Sequence, residues 1–358
     1  MAQQNPIQGP IQRLFITLLM AGVMSACGAI APSGDHSTPR LDTPGDTSTD
    51  CRTIDHQKGQ TEVCGQPKRV VVLGPNLLEL LLVLDIQPVG FADHIQFHTQ
   101  DYDNPAQQIP YLGDRITTRP INVGLNYTPN LESLVRSQPD LILGPSFLND
   151  GQYAALSQIA PTLLLDWFDT ENNLRAIATA FNQTAQAEAS LNQMQKTIDQ
   201  ARQRLAPVVA AHPKVLMMSS TDMSEVRLFT PQENYCAALV EDLGFQLVYP
   251  PNIDPANLQS SLPISLEQIP QMNQADWVML FGVDFAALGS ATDPSSFQQH
   301  QLTRFQQAWK KSAIAQSLDA SKAGQVTFIP AYVCLGLPGP IGTELYLNEL
   351  QRQLLPPD

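Results

Sequence analysis

One sequence phrase occurs twice in this chain, and it limits the folds that the chain can adopt. The first copy is TPNLESLVRSQPDLILG, from Thr128 to Gly144, and the second is SLEQIPQMNQADWVMLFG, from Ser265 to Gly282. Each copy contains Leu-Glu, a spacer of helical length, an Asp, an apolar run and a Gly. A helix followed by a buried strand is one step of a parallel α/β sheet. The repeat therefore predicts two α/β lobes in one chain.

The segments before each copy indicate the same architecture. Residues 69–73 form an apolar run typical of a buried strand, and Asn76 can cap a helix over residues 77–84. Residues 89–92 then indicate a second strand, which completes a βαβ unit. The strand pattern begins again at residues 214–218. Both halves of the chain therefore favour a doubly wound sheet.

A long helical segment separates the two halves. Residues 184–206 would span about 35 Å at ~1.5 Å per residue, which is long for a helix of a globular protein. We therefore expect an N-terminal lobe over residues 51–168, a helical connection over residues 169–207 and a C-terminal lobe over residues 208–358.

Composition and charge exclude some classes of function. Apolar residues make up 43% of the chain and charged residues only 15%, so large cores can form. The formal net charge of −14 repels phosphate backbones, and nucleic acid is not an expected partner. The sequence contains no G-x-S-x-G, Walker or H-E-x-x-H motif, and no G-x-G-x-x-G after the first strand. These observations favour a binding module over an enzyme.

The N-terminus has the pattern of an export signal. Arg13 precedes an apolar run from Leu14 to Met24, and Ser-Ala-Cys follows it. Met-Ser-Ala-Cys resembles a bacterial lipobox, which predicts that residues 1–27 are a lipoprotein signal and that Cys27 is lipidated. The alternative is an ordinary secretory signal with an incidental cysteine. Residues 28–50 have almost no bulky apolar side chain, so we expect a flexible tether.

The other four cysteines lie in an exported chain, where disulfides persist. Cys51 and Cys64 bracket a polar loop, and a disulfide there would contribute about 3 kcal/mol in the chain-entropy model. A zinc site that includes His56 is the alternative, but export favours the disulfide. Cys236 and Cys334 could form a pair or remain buried thiols.

These elements together resemble one family of proteins. KRVVVLGPNLLELLLVLDIQPVGFAD and INVGLNYTPNLESLVRSQPDLILG are similar to the substrate-binding proteins of ABC importers for iron-siderophores, haem and cobalamin. The resemblance extends over about residues 51–356. It implies the class III periplasmic binding protein fold, in which two Rossmann-like lobes are joined by a single long helix and the ligand binds between them. It also implies no enzymatic activity and no cofactor.

The resemblance assigns a role to the repeated Leu-Glu. In this family, one glutamate on each lobe docks onto arginines of the two permease subunits, and Glu132 and Glu267 occupy the matching positions. The alternative is that each carboxylate only favours the positive end of a helix dipole.

Candidate ligand contacts lie in the loops expected at the carboxyl ends of strands. A ferric siderophore needs aromatic walls and forked hydrogen-bond donors. Phe147 and Tyr332 could supply the walls, and Arg115, Arg119 and Arg227 could supply the donors. Hydroxamate binders of this family have an arginine where this chain has Asn126, which argues against a hydroxamate. His94 and His98 form H-x-x-x-H, but direct metal binding is the weaker hypothesis. The complete set of expected ligand contacts is Asn76, His94, Arg115, Arg119, Asn126, Phe147, Arg227, Asn234 and Tyr332.

The sequence thus predicts a monomeric, lipid-anchored periplasmic protein that captures an iron(III) chelate and delivers it to an ABC permease dimer. Haem or cobalamin binding is an alternative within the same fold. A sensing or interaction protein of the cell envelope is an alternative outside transport. The identity of the chelate and the membrane leaflet that holds the anchor stay open.

Overall fold

A computed structural model describes residues 50–254, 257–258, 261–285 and 293–356, which belong to one structural unit, Thr49–Asp358. The predicted signal, Cys27 and all of the predicted tether except Asp50 lie outside the described residues. Among the helices of the described part, none combines the length and the apolar character that a bilayer span requires.

The described chain starts with an antiparallel hairpin of β1 (Cys51–His56) and β2 (Gly59–Cys64), in which Cys51 lies opposite Cys64. A disulfide joins these two cysteines. The hairpin covers the edge of the first sheet through a hydrogen bond from the Gln57 amide to the Leu164 carbonyl oxygen (2.9 Å). Such cover protects an exposed sheet edge from unwanted pairing.

The first lobe is built on a six-stranded sheet with strand order β6-β5-β4-β3-β7-β8. The strands are β3 (Val70–Leu73), β4 (Gly90–Asp93), β5 (Ile121–Leu125), β6 (Thr128–Pro129), β7 (Leu141–Pro145) and β8 (Thr162–Leu165). The helices are α1 (Pro75–Val83), α2 (Pro105–Gln108), α3 (Leu131–Ser137), α4 (Ser146–Asn149), α5 (Tyr153–Ser157) and α6 (Thr170–Ala180), with 3₁₀ turns at Gly113–Arg115 and Asp150–Gln152. Every residue of β3 is apolar and buried, as expected for a central parallel strand with both faces covered.

One long helix, α7 (Thr184–Ala211), follows this lobe and packs against α6. Its 28 residues correspond to about 42 Å at ~1.5 Å per residue. The helix continues past Pro207, where the sequence predicted its end. A proline in a helix removes one backbone hydrogen bond without always ending the helix.

The second lobe contains another six-stranded sheet, in which β11 also pairs with β9 and the other five strands have the order β12-β10-β9-β13-β14. The strands are β9 (Lys214–Ser220), β10 (Val226–Leu228), β11 (Gln246–Leu247), β12 (Leu262–Ile264), β13 (Trp277–Gly282) and β14 (Val326–Pro330). The helices are α8 (Tyr235–Asp242), α9 (Pro294–Lys311), α10 (Ala313–Ser317), α11 (Asp319–Lys322) and α12 (Pro340–Leu354), with 3₁₀ helices at Pro231–Glu233 and Leu266–Met272 and a π-helical turn at Tyr332–Gly336.

The repeated phrase occupies equivalent places in the two sheets. Its strand is β7 in the first lobe and β13 in the second, and each pairs in parallel with the first strand of its own sheet, β3 or β9. The helices of the two copies differ, because Pro270 lies inside the second one and its residues form a 3₁₀ helix. The predicted two-lobed α/β fold with one long connecting helix is confirmed.

Several element boundaries in the second lobe differ from expectation. The strand expected over residues 246–249 is only the two-residue β11, because the antiparallel strands β10 and β12 extend the sheet beside β9. The helix expected over residues 301–318 starts earlier and divides at Ser312, whose side chain caps the next helix.

The two lobes are joined by direct contacts as well as by α7. Trp167 donates its indole N–H to the Leu335 carbonyl oxygen (3.0 Å), and the Thr170 hydroxyl donates to the Pro338 carbonyl oxygen (3.0 Å). A second disulfide, Cys236–Cys334, fixes the same 332–338 segment to helix α8 of its own lobe. This segment therefore bridges the two halves of the protein.

Candidate ligand-binding cleft

The carboxyl ends of strands from both sheets meet between the lobes. Tyr332 follows β14, and its hydroxyl donates to Asp93 Oδ2 at the end of β4 (2.9 Å). Ligands of open α/β sheets bind beyond the carboxyl ends of the strands. This meeting line is therefore the candidate binding cleft.

A cluster of stacked rings forms the floor of the cleft. Tyr332 is completely buried, and its ring stacks on His94 (centroids 5.0 Å apart) and on Tyr111 (5.6 Å). Burial, and then the neighbouring Asp93 carboxylate, raise the pKa of Tyr332 well above its ordinary value. The phenol therefore keeps its proton and donates a hydrogen bond to Asp93 of the other lobe.

The exposed ring of Phe147 forms one wall, and the exposed Phe168 lies after the next strand, β8. Phe147 and Phe168 are 63% and 53% exposed, respectively. Phe147 packs against Trp167 (5.5 Å), whose ring is edge-on to His94 (6.1 Å). Exposed rings that are continuous with a buried floor are typical of ligand-binding surfaces.

Three buried asparagines lie behind this wall at the ends of first-lobe strands: Asn76, Asn126 and Asn149. Asn149 donates to the Asn126 carbonyl oxygen (2.6 Å), but both side-chain polar atoms of Asn76 and of Asn126 have no protein partner. Gly74 allows this approach, since a Cβ there would lie 2.7 Å from Asn76 Oδ1. Buried amides are stabilised by polar partners, so these side chains are candidates to support a bound polar molecule.

A charged cluster on the second lobe was not found from the sequence. Arg304 on α9 contacts Asp222 (2.5 Å) and the buried Asp284 (3.3 Å), and His300 lies 3.8 Å from Asp284. Hydrogen bonds from Ser224, and then Arg304, hold the pKa of Asp222 below its ordinary value. His300 and Arg304 lie on α9, outside the strand-end loops in which ligand contacts were expected. Their i, i+4 spacing, which places them on one helix face, is the signal in the sequence that could have indicated them.

The structure brings five of the predicted residues to the cleft and places two others elsewhere. The five are Asn76, His94, Asn126, Phe147 and Tyr332. Arg115 and Arg119 precede β5, so they lie at the amino edge of the sheet, where Thr118 bonds the Pro88 carbonyl oxygen (2.9 Å). Arg115 instead lines a cavity beside α7. These two arginines therefore lie apart from the other five predicted residues, and their role as ligand contacts stays a prediction.

Two further predicted contacts have structural roles. Arg227 donates to both the hydroxyl and the carbonyl oxygen of Ser261 (2.9 Å each) and pairs with Glu225 (3.1 Å). Asn234 caps α8 by accepting from the Ala237 amide (3.1 Å). Asn76 was expected to cap α1, but the helix begins at Pro75 and Asn76 lies within its first turn.

The histidine pair predicted from H-x-x-x-H does not form. No helix includes residues 94–98, and His98 lies by Tyr102 (5.6 Å) while His94 lies by Asp93 (3.0 Å). Within the described ranges, the one group with metal-ligand proximity is Cys51, Glu62 and Cys64, and its two cysteines are joined in the disulfide. A zinc site in the hairpin therefore does not fit.

Comparison with known proteins agrees with this architecture. Residues 70–333 match the family described as periplasmic binding protein. The chain is 27% identical over 239 residues to the probable siderophore-binding lipoprotein YfiY of Bacillus subtilis, covering 66% of this chain and 67% of that one. It is 26% identical over 283 residues to the Fe(3+) dicitrate-binding periplasmic protein FecB of Escherichia coli, covering 77% and 81%.

A solved structure has the same fold. Staphylococcus aureus SirA complexed with staphyloferrin B superimposes with a TM-score of 0.67 at 25% identity, covering 85% of this chain and 98% of SirA. The match to the family over most of the chain, the two lobes and the single connecting helix lead to one conclusion. This chain belongs to the periplasmic binding protein family, in its class III fold, whose members bind solutes for transporters and are not enzymes.

Proposed function

We propose that this protein is the solute-binding component of an ABC importer and that it captures a ferric siderophore-type chelate between its lobes. The observation that carries the proposal is the aromatic cleft, in which the exposed Phe147 is linked through Trp167 to the stacked rings of His94 and Tyr332. Relatives described as binding Fe(3+) dicitrate and staphyloferrin B support iron chelates as the ligand class.

The proposal is tested by fluorescence titration, because the tryptophans lie in different places. Trp167 lines the cleft, whereas Trp277 and Trp309 belong to β13 and α9 of the second lobe. A Trp277→Phe/Trp309→Phe variant should show saturable, sub-micromolar quenching by a ferric chelate, and Trp167→Phe should lose most of the response. No saturable response to ferric citrate, catecholates, hydroxamates, haem or cobalamin would instead favour the envelope-sensing alternative.

Within this function, we propose that Glu132 and Glu267 dock onto arginines of the two permease subunits. Both side chains are exposed. Glu132 interacts electrostatically with Arg136 one helical turn further along α3. Other side chains make the caps at these two helix starts, namely Asn130 for α3 and Ser265 with Gln268 for the 3₁₀ helix. Neither carboxylate caps its helix, so the interaction with the helix dipole is the remaining alternative. The matched positions of the two glutamates in the two lobes favour a two-point contact.

Charge reversal at both glutamates is expected to abolish uptake without changing ligand affinity. Glu132→Lys/Glu267→Lys would place cations opposite the permease arginines, while both sites lie outside the cleft described above. Uptake of radioactive ferric chelate in cells and binding to the purified protein measure the two effects. Glu62→Lys, on the exposed face of the hairpin, is the charge-matched control. Weakened ligand binding in the double variant would contradict the assignment.

We also propose that the protein is an extracytoplasmic monomer that Cys27 anchors to a membrane by lipid, through the tether of residues 28–50. The folded part then comprises the lobes 51–168 and 208–358 and the connection 169–207. The lipobox pattern and a relative described as a lipoprotein support the anchor.

Replacing Cys27 with serine is expected to move the protein from the membrane fraction to the soluble periplasmic fraction, because the modified thiol is lost. Cell fractionation followed by immunoblotting measures the change. A variant that stays with the membranes would refute the anchor.

A further inference from the structure

We infer that the cleft selects ferric chelates with no net charge or a positive net charge, an inference that rests on the proposed function. It follows from the positions of the cationic side chains. Anionic chelates require guanidinium or ammonium groups that can face the ligand. In this structure the Lys and Arg side chains near the cleft pair with carboxylates of the protein itself.

Among the described residues of the first lobe, no unpaired Lys or Arg lies at the carboxyl ends of the strands. Arg115 and Arg119 lie at the opposite edge of the sheet. Lys58, in the turn of the hairpin, pairs with Asp150 (2.5 Å). The His94 ring lies 3.0 Å from the carboxylate of its neighbour Asp93.

In the described part of the second lobe, the two arginines near the cleft, Arg227 and Arg304, both have carboxylate partners. Arg304 lies between two carboxylates, Asp222 and Asp284. Arg227 pairs with Glu225, and two further N–H groups of Arg227 donate to the hydroxyl and the carbonyl oxygen of Ser261. The neighbouring carboxylates offset the positive charge of each guanidinium, which weakens its attraction for an anionic ligand.

The other cationic side chains of the described part lie away from the carboxyl ends. Arg52 lies at the start of the hairpin, and Lys68, Arg69 and Lys214 lie at the amino ends of strands. The ends of α3, α9, α11 and α12 carry Arg136, Lys310, Lys311, Lys322 and Arg352. Helices α6 and α7 carry Arg175, Lys196, Arg202 and Arg204. The sequences of residues 255–260 and 286–292, PANLQS and AALGSAT, contain no charged residue. Residues 50–356 therefore hold no further Lys or Arg.

Carboxylates outnumber cations near the cleft. Six acids lie at or next to the carboxyl ends of strands, against the three cations Lys58, Arg227 and Arg304: Asp93, Asp150, Asp166, Asp222, Glu225 and Asp284. This excess gives the cleft a negative potential, which repels anions. The exposed ring faces of Phe147 and Phe168 also favour cations, because aromatic faces carry partial negative charge.

The test is a set of ferric chelates that differ in charge on one scaffold. A linear trihydroxamate with a free, an acetylated or a succinylated terminal amine gives ferric complexes of net charge +1, 0 and −1. Ferric citrate and a ferric tris-catecholate serve as more strongly anionic probes. The neutral and cationic complexes should bind the purified protein on the order of tenfold more tightly than the −1 complex. The difference should shrink at high ionic strength, since salt screens the excess charge.

A charge-altering variant tests the cause. Asp222→Asn frees Arg304 from one carboxylate, so it should improve binding of the −1 complex several-fold relative to the neutral one. Asp319→Asn, which removes an equally salt-bridged carboxylate from the far side of the second lobe, should leave the ratio unchanged.

The possible outcomes separate the inference from the proposed function. Equal or tighter binding of the −1 complex on this one scaffold, or an unchanged ratio in Asp222→Asn, would overturn the charge preference alone. Failure of every ferric chelate to bind would overturn the proposed function together with it.

Discussion

Glutamine in place of Glu79 should remove a loss of stability that the native protein undergoes between about pH 4.5 and pH 8. Glu79 lies on α1 and is fully buried, and its two oxygens accept from the amides of Gly339 (2.5 Å) and Gly342 (3.0 Å) at the start of α12. Burial raises the pKa of Glu79 to about 8, against the partial opposition of the backbone amides of Gly342, Gly339 and Ile341.

The sign follows from proton binding. The unfolded chain loses the Glu79 proton near its ordinary pKa of 4.5, whereas the native state holds it up to about pH 8. The free energy of unfolding therefore falls as pH rises through this window, by about 1.4 kcal/mol per pH unit, and on the order of 5 kcal/mol in total. Below pH 4.5 the contribution is fully present, and above pH 8 it is lost.

Urea unfolding at pH 5 and at pH 8 measures the effect. Glutamine does not titrate, so Glu79→Gln should show a much smaller difference between the two pH values than the native protein, even if one hydrogen bond is lost. Glu344→Gln, an exposed position on α12, is the matched control and should keep the native difference. The same pH dependence in the native protein and in Glu79→Gln would contradict the expectation.

Removal of the Cys236–Cys334 disulfide is expected to lower the free energy of unfolding by about 4–5 kcal/mol. The two cysteines are 98 residues apart in sequence, and a longer closed loop removes more entropy from the unfolded chain. The Cys51–Cys64 disulfide spans only 13 residues, so its loss should cost about 3 kcal/mol in the same chain-entropy model.

The comparison needs two double variants, Cys236→Ala/Cys334→Ala and Cys51→Ala/Cys64→Ala, measured by urea unfolding under identical conditions. The first pair should also weaken chelate binding, since the disulfide holds the segment that carries Tyr332 beneath the cleft. The hairpin pair should leave binding unchanged. An equal or larger loss of stability in the hairpin variant would contradict the ranking.

Local pattern was enough to predict most elements of the fold. Apolar runs predicted the strands β3, β7 and β13, and the two Leu-Glu segments predicted the helices that precede β7 and β13. These predictions were possible because burial on one or both faces of an element imposes a hydrophobic pattern on consecutive residues. The errors arose where one residue changed the outcome, as at Pro270, which leaves a 3₁₀ helix where an α-helix was expected.

The site was predicted less completely, because it depends on which edge of a sheet a loop reaches. Arg115 and Phe147 both lie in short helical segments near a strand, but only Phe147 follows the carboxyl end of its strand. Arg304 was missed because it reaches the cleft from a helix, through contacts with Asp222 and Asp284 on other loops.

The sequence by itself determined that this protein has two α/β lobes, one long connecting helix and a family relationship, because these properties are encoded in short segments. Only the tertiary structure decided that Tyr332 meets Asp93, that Glu79 meets the start of α12, and that the cations near the cleft are neutralised. Such partners are far apart in the chain. Whether two distant side chains meet depends on how whole sheets and helices pack, which no local pattern records.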